Sequence, residues 1–470
     1  MIVGGEFRDA PEKIKVVYPY DGRVVGEVPK GTEEHAREAV EKAKEGLKKL
    51  AALTAYERYR FLSEAARLLE QRAEEFARTL VLEVGKTIRE ARTEVQRAVQ
   101  TLLFAAEEAK RINGETFPLD AHPNGKGKVG FYVRVPAGVV AAITPFNFPL
   151  NLSMHKVAPA LAAGCPVVLK PSERTPLTPL MLGELLLEAG APPEAVSVIP
   201  GYADVGRAIT THPDVRVVSF TGSRKVGEII ARQAGIKKLV LELGSNSAII
   251  LHEDGSVEKA VEKTVQGGFA IAGQVCISVQ RVFVHEKLFD EFVAKLKERV
   301  ARLKVGDPMD ESTDVGPLIA PSELERVLEW IKEAERMGAK VELGGEPVKD
   351  APLLTPTVVS LVPKEAKLFK EEAFAPVVAV NPYRELDEAI EAVNASEYGL
   401  QVGVFTRDVK VAWRCIKEIE AGGVLINEGP TFRADHMPYG GVKYSGVGRE
   451  GPKFAIEDYT EIKTVVFDLS

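Results

Sequence analysis

Val139-Val140-Ala141-Ala142-Ile143-Thr144-Pro145-Phe146-Asn147-Phe148-Pro149 sets the fold class. Residues 139–143 are apolar without polar alternation, which reads as a strand buried on both faces, and a helix is expected directly after the loop, at 150–163. The alternation continues. Strands are expected at 167–169, 196–199, 215–220 and 238–243, with helices at 179–189, 205–210 and 226–234 between them. Such a βαβα order makes a parallel sheet covered by helices. Ligands on these sheets bind beyond the carboxyl ends of the strands. The loops that matter are therefore 144–149, 170–173, 221–227 and 242–247.

Outward from this core, a second alternating unit has strands at 281–284, 340–343, 356–359, 376–380, 400–405 and 424–426, the last read as the final buried strand. Helices are expected at 287–303, 322–337, 386–396 and 409–419. The first quarter is mainly helical, with a helix capped by Thr32, another from about residue 54 and a third region at 80–112. It carries no catalytic constellation. After the Asn113-Gly114 turn, 115–136 ends in an alternating run at 129–135, and a second β-prone run, 461–467, closes the chain. Two isolated strands need partners; paired with each other they make an arm, and oligomerisation is the expected use.

A chain of 470 residues exceeds one ordinary core. It is 45% hydrophobic and 27% charged, with a net charge of -7. That composition is globular and argues against nucleic acid as partner. The cysteines Cys165, Cys276 and Cys415 are far apart and odd in number, so no disulfide framework or metal knuckle is read, and a reducing cytoplasm is the expected setting. The N-terminus lacks a signal-peptide pattern, apolar runs are broken by Pro159, Gly164 and Pro166, and no membrane partner is expected.

Four loops and one thiol carry chemistry. Cys276 follows Gly267-Gly268 and Gly273 and precedes a β-branched run, 277–284, read as strand. It is either a nucleophile near a loop end or a packed structural cysteine. Gly222 and Ser223 lie in a strand-to-helix loop that suits phosphate or is an ordinary turn. Lys170-Pro171-Ser172-Glu173 offers a cation and a carboxylate to a ribose, or is a solvated loop. Asn147 suits an oxyanion or a turn. Glu242 ends an apolar strand, where a carboxylate is costly unless paired or functional. Together they fit one reaction. A thiolate adds to an aldehyde, an amide holds the oxyanion, hydride leaves to a nicotinamide, and activated water resolves the thioester.

At this point the sequence resembles the aldehyde dehydrogenase superfamily, nearly end to end. The resemblance is carried, in order, by Thr144-Pro145-Phe146-Asn147-Phe148-Pro149, Lys170-Pro171-Ser172-Glu173, Phe220-Thr221-Gly222-Ser223 and Leu241-Glu242-Leu243-Gly244-Ser245-Asn246. Gly273-Gln274-Val275-Cys276, Glu371-Glu372-Ala373-Phe374-Ala375-Pro376 and Pro438-Tyr439-Gly440-Gly441-Val442-Lys443-Tyr444-Ser445-Gly446 complete it. The resemblance implies that Cys276 is the nucleophile, that Asn147 and the Cys276 N–H form the oxyanion hole, and that Glu242 activates water. It implies Lys170 and Glu173 on the adenosine ribose, Ser172 among the cofactor contacts, Gly222 and Ser223 beside the pyrophosphate, Glu372 on the nicotinamide ribose and Phe374 near the nicotinamide. Glu173 favours NAD, with NADP as the alternative.

The resemblance also implies an architecture of two Rossmann-like parallel-sheet domains plus a β oligomerisation arm. Segments 1–114 and 137–243 form the cofactor-binding domain and 244–437 the catalytic domain. Segments 115–136 and 451–470 form the arm, and 438–450 connects, in a homodimer or homotetramer. The substrate is expected to meet Val275, Ile277, Phe432 and Arg433, with Phe104 a further candidate. Thr431-Phe432-Arg433-Ala434-Asp435-His436 resembles the branch acting on lactaldehyde, phosphonoacetaldehyde and, without phosphorylation, glyceraldehyde-3-phosphate. Arg433 is either a substrate-anion ligand or a salt-bridge partner of Asp435 or another acid. A small or medium aldehyde is the expected substrate, hydroxylated ones such as lactaldehyde included, and glyceraldehyde-3-phosphate or another anionic aldehyde is the alternative. A CoA-acylating dehydrogenase is disfavoured by Glu242, and a thiol esterase by the ribose loops. No metal is expected.

Overall fold

The computed structural model describes residues 1–348 and 351–469. One sheet has eight strands in the order Glu6–Phe7, Ile2–Val3, Val196–Val198, Val167–Lys170, Val139–Ile143, Val215–Thr221, Lys238–Glu242, Gly446–Val447. The inner strands are parallel, and antiparallel pairings close both edges. Val139–Ile143 and Val167–Lys170 are buried throughout because helices cover both faces, which is why they read as unbroken apolar runs. From Val139–Ile143 the chain winds outward to Val196–Val198, then returns to the other side at Val215–Thr221. The crevice at that reversal lies between the loops holding Asn147 and Gly222.

On one face the sheet packs against Asn151–Ala163, which is buried along its whole length beneath Ile88–Ala109 and Pro452–Asp458. The other face packs against Glu33–Ala52 and Ala203–Thr211. The second sheet runs Lys340–Leu343, Thr357–Ser360, Val377–Tyr383, Arg281–His285, Ala248–Leu251, Gln401–Phe405, Gly423–Ile426, parallel except for its Lys340–Leu343 edge. Cys276 precedes its central strand. The site therefore joins the carboxyl ends of the first sheet to the amino end of a strand in the second.

Thr460–Asp468 pairs antiparallel with Lys128–Pro136 along its whole length, as expected of the two isolated runs, and Thr116–Phe117 adds a third strand.

Several boundaries differ from expectation. The helical region 80–112 is two helices, Ala73–Val84 and Ile88–Ala109, because Gly85 turns left-handed (φ 80°) and packs on Pro317. The run 277–284 becomes strand only at Arg281; before it, the Val279 N–H reaches back to Gly267 O and the Gln280 N–H to Ser247 O. Gly423–Ile426 is a half-buried edge, and strands follow it. In 438–450, Gly446–Val447 joins the edge of the first sheet. In 451–470, Pro452–Asp458 is a helix in the core and only Thr460–Asp468 is strand; Ser470 lies outside the described residues. No helix among the described residues is long and apolar enough to cross a membrane.

Candidate active site

The helix Val257–Phe269 ends in a turn, Ala270–Gly273, where Ile271, Ala272 and Gly273 all have positive φ (49°, 53° and 72°). For a β-branched Ile this costs on the order of 1–3 kcal/mol, and strain of this kind persists only where the surroundings over-determine it. They do. The Ile271 N–H donates to Glu90 Oε1 (2.7 Å). The Gln274 side chain donates to Ile271 O (3.0 Å) and Pro317 O (3.3 Å) and accepts from the Ile319 N–H (2.9 Å). Glycine is required at 273 because a Cβ there would sit 2.0 Å from Ala375 O. The turn presents Cys276 half-buried, whereas Cys165 and Cys415 are fully buried. Cys276 Sγ lies 2.9 Å from the Tyr439 hydroxyl. Burial pushes the thiol up to about 11 against the Tyr439 hydrogen bond, which lowers it; the carboxyls of Glu372 and Glu242 raise it and Arg433 lowers it.

Asn147 reaches the same loop from the first sheet. Its Nδ2 donates to Gln274 O (2.8 Å) and its Oδ1 accepts from the Phe148 N–H (3.2 Å), an arrangement that leaves a second Nδ2 hydrogen for another acceptor. A buried carboxylate anchors this loop. Glu94 Oε1 accepts from the Leu150 and Asn151 N–H groups (3.0 Å each) at the start of Asn151–Ala163, and Glu94 pairs with Lys86. The Lys86 ammonium sits 4.1 Å from the centre of the Phe148 ring.

Glu242 closes its strand buried, and neither carboxylate oxygen has a hydrogen-bond partner among the described residues. Burial raises its pKa well above the usual carboxylate range; nearby Glu450 adds to this, while Arg433, Lys156 and Arg449 oppose it. Gly440 is packed so closely that a Cβ would lie 2.9 Å from Glu242 Oε1. Glu450 accepts from Lys156 Nζ (2.9 Å) and Arg433 Nη2 (3.0 Å). Against the burial penalty, Lys156 and Arg433 hold Glu450 down to about 2.

Arg433 thus pairs with Glu450, not Asp435, and its guanidinium lies 3.7 Å over the Tyr439 ring. Asp435 accepts instead from Arg97 (2.8 Å), His155 Nε2 (2.9 Å) and Asn151 Nδ2 (3.1 Å).

Of the expected cofactor residues, Lys170, Ser172, Glu173, Gly222 and Ser223 lie at or just past carboxyl ends of strands of the first sheet, and Glu372 and Phe374 lie ahead of Val377–Tyr383 in the second. Lys170 ends its strand buried, with Nζ bonded to Pro171 O (3.1 Å) and 3.9 Å from Glu173; burial lowers its pKa. Ser172 Oγ accepts from the Arg174 N–H (3.3 Å). The Gly222 N–H is bonded to Glu242 O, and Ser223 caps the helix Arg224–Gln233. Val226 and Ile229 on that helix are exposed, as is Tyr202. Glu372 accepts from the Ser245 N–H (3.0 Å) and burial pushes it up to about 7. Phe374 has φ 48° and stands edge-on to Phe146 at 5.9 Å.

The expected substrate residues are less gathered. Val275 and Ile277 are buried in the core shared with the first sheet, while Phe432 is 51% exposed. Phe104 packs against His436 (4.7 Å). A cavity of about 340 Å³ beside the 270–273 turn is lined by Phe148, Thr93, Arg97, Ala270 and Ile271 with Glu90 and Glu94; Val275, Ile277, Phe432 and Arg433 are not part of that wall.

Residues 7–465 match the profile of the aldehyde dehydrogenase family. The chain belongs to that family. Over 470 residues it is 49% identical to 3-sulfolactaldehyde dehydrogenase of Priestia aryabhattai, covering 100% of this chain and 98% of the relative. It is 38% identical to lactaldehyde dehydrogenase of Methanococcus aeolicus over 471 residues, covering 99% of each. Among solved structures, glyceraldehyde-3-phosphate dehydrogenase GapN of Methanocaldococcus jannaschii, complexed with NADP, superposes with a TM-score of 0.93 at 39% identity, covering 97% of this chain and 100% of that one.

Within the dehydrogenase, sequence reasoning missed Tyr439, Glu450, Lys156 and Gln274. Lys156 had a legible signal, a charge inside the apolar helical run 150–163. Tyr439 and Gln274 lay in quoted motifs, but their contacts depend on how distant loops cross.

Proposed function

We propose that this dehydrogenase oxidises a three-carbon 2-hydroxyaldehyde of the lactaldehyde type to its carboxylic acid with NAD. The observation that carries the reaction is one cluster: a half-buried Cys276, an Asn147 bonded to the loop before that thiol and keeping an unused N–H, and a buried Glu242 with no hydrogen-bond partner among the described residues. The Cys276 thiolate attacks the aldehyde carbon; the new C–S bond sends the carbonyl electron pair to oxygen. Asn147 and the Cys276 N–H hold that oxyanion. The dinucleotide, when bound, accepts the hydride from the same carbon. Water then attacks the Cys276 thioester, Glu242 takes its proton, and the C–S bond breaks to release the acid and the thiolate.

The chain's residues fit a dinucleotide. Lys170 is a buried cation 3.9 Å from Glu173, Val226 and Ile229 leave an apolar face open at the helix start, and the buried Glu372 accepts from the Ser245 N–H. Lys170, Ser172, Glu173, Gly222, Ser223, Glu372 and Phe374 would hold it. The Glu173 carboxylate repels a 2′-phosphate, which favours NAD over NADP.

The relatives named above act on lactaldehyde, 3-sulfolactaldehyde and glyceraldehyde-3-phosphate, which share a hydroxyl next to the aldehyde and differ at the third carbon. The second reading is an anionic group there, favoured by Arg97 on the cavity wall, whose guanidinium is anchored on Asp435 and would have to share its remaining N–H groups with the anion. An aldehyde panel with NAD and NADP, read by absorbance of the reduced cofactor, separates the two. Arg97→Lys, which keeps a cation beside Asp435 but loses the planar fork, is expected to raise KM several-fold for a sulfonate or phosphate substrate and less for lactaldehyde. Turnover retained by Cys276→Ala would sink the reaction assignment. We further propose cytoplasmic homo-oligomers, supported by Val129, Ile462, Val466 and Phe467 exposed on the Lys128–Pro136 and Thr460–Asp468 pair.

A further inference from the structure

We propose that Tyr439 is a catalytic residue: its hydroxyl donates a hydrogen bond to the Cys276 thiolate, and Arg433, stacked on its ring, strengthens that donation as a positioning residue. This rests on the reading of Cys276 as nucleophile and adds the group that makes the nucleophile available.

A thiolate forms readily only where positive charge or a hydrogen-bond donor offsets its desolvation. The groups facing Cys276 mostly do the reverse. Burial and the acids Glu372 and Glu242 disfavour the anion, while the Tyr439 hydroxyl and Arg433 favour it. The hydroxyl is the one of these in contact, with oxygen and sulfur 2.9 Å apart. Tyr439 is 3% exposed, and its own ionisation is pushed well above the usual range by burial, with Cys276 and Glu242 adding to the push and Arg433 opposing it. The phenol therefore resists ionisation, and the thiol is the group of the pair that gives up its proton. Once sulfur is anionic, the hydroxyl is the donor.

Arg433 is placed to act through the ring. Its guanidinium lies 3.7 Å from the ring centre, and the bond from its Nη2 to Glu450 fixes it there. A cation over the face draws electron density from the phenol and makes its O–H a better donor. Glu450 is in turn held by Lys156 from the buried helix. When sulfur attacks the aldehyde its charge passes to the substrate oxygen, where Asn147 takes over. The hydroxyl thus stabilises the resting nucleophile and releases it during the step.

The test reads Cys276 alkylation by iodoacetamide against pH, without aldehyde or cofactor, with Cys276→Ala as the blank because Cys165 and Cys415 are buried. Tyr439→Phe keeps the ring under Arg433 and removes only the donor. Its alkylation midpoint should rise by about one pH unit, so the rate near neutral pH should fall about tenfold. Replacing Tyr439 by 3-fluorotyrosine keeps the shape and makes the donor more acidic, and should move the midpoint down. Arg433→Lys, which keeps the charge on Glu450 but loses the planar stack, should shift it upward by less than Tyr439→Phe. Midpoints unchanged in both Tyr439 variants would overturn the role of Tyr439 while leaving the nucleophile assignment intact. Turnover surviving in Cys276→Ala would instead overturn the reading on which the role rests.

Discussion

Glu242 is the residue whose environment fits its task least comfortably at rest. Buried near Glu450 and without a hydrogen-bond partner among the described residues, it is pushed toward the neutral acid, whereas the proposed deacylation needs it as a carboxylate. Activity limited by deacylation should therefore rise with pH through its raised pKa. Glu450→Gln removes the like charge and frees Lys156 and Arg433 to face Glu242. The acid limb of kcat should move to lower pH in that variant, measured as a pH–rate profile; an unmoved limb would mean Glu450 does not act on Glu242. Glu450 and Asp435, both held below the usual range, bind fewer protons folded than unfolded, so their stabilisation is present at neutral pH. For Glu450 it is lost as pH falls from about 4.5 toward about 2. At this scale Cys276, Asn147 and Glu242 were legible because each residue type was unusual for its place: a thiol after glycines, an amide between aromatics, an acid ending an apolar strand. Tyr439 was not, since nothing local distinguishes a packed tyrosine from one touching sulfur, and Arg433 found Glu450, a partner outside its own loop.

The elements matter as positioning devices. The start of Asn151–Ala163 rests on Glu94, which satisfies two backbone N–H groups left open at a helix start and neutralises Lys86. Glu94→Ala leaves both N–H groups and a buried ammonium without partners. It should cost about 3–5 kcal/mol of stability by denaturant unfolding and slow the hydride step through loss of Asn147 placement; a change under about 1 kcal/mol would contradict the anchoring role. Periodicity revealed the strands and helices because burial on both faces demands continuous apolar runs. It misjudged their ends where long-range contacts decide them. Gly85 breaks a helical pattern against Pro317, and 277–280 is pulled out of strand pairing by bonds to Gly267 and Ser247. The strained turn 270–273 had only Gly273 as a local sign, and the acceptor that stabilises it, Glu90, comes from another helix.

Across the whole molecule, two mainly parallel sheets meet so that the carboxyl ends of one supply Asn147, Glu242 and the loops 170–173 and 221–223, while Cys276 sits ahead of the amino end of a strand of the other. The pairing of Thr460–Asp468 with Lys128–Pro136 leaves exposed apolar side chains along the ribbon. Truncation after Thr460 should shift the species seen by sedimentation velocity toward monomer; an unchanged distribution would rule out the arm as the contact between copies. The central claim, that the aldehyde is oxidised while covalently attached to Cys276, is tested most directly in Glu242→Gln. That variant is mixed rapidly with NAD and the aldehyde turned over fastest in the panel. A burst of reduced cofactor equal to the active sites, followed by turnover slowed about 100-fold or more, with the acyl mass on the Cys276 peptide after acid quench, is the predicted result. Full-rate turnover without a burst, or an acyl group on any other residue, would contradict it.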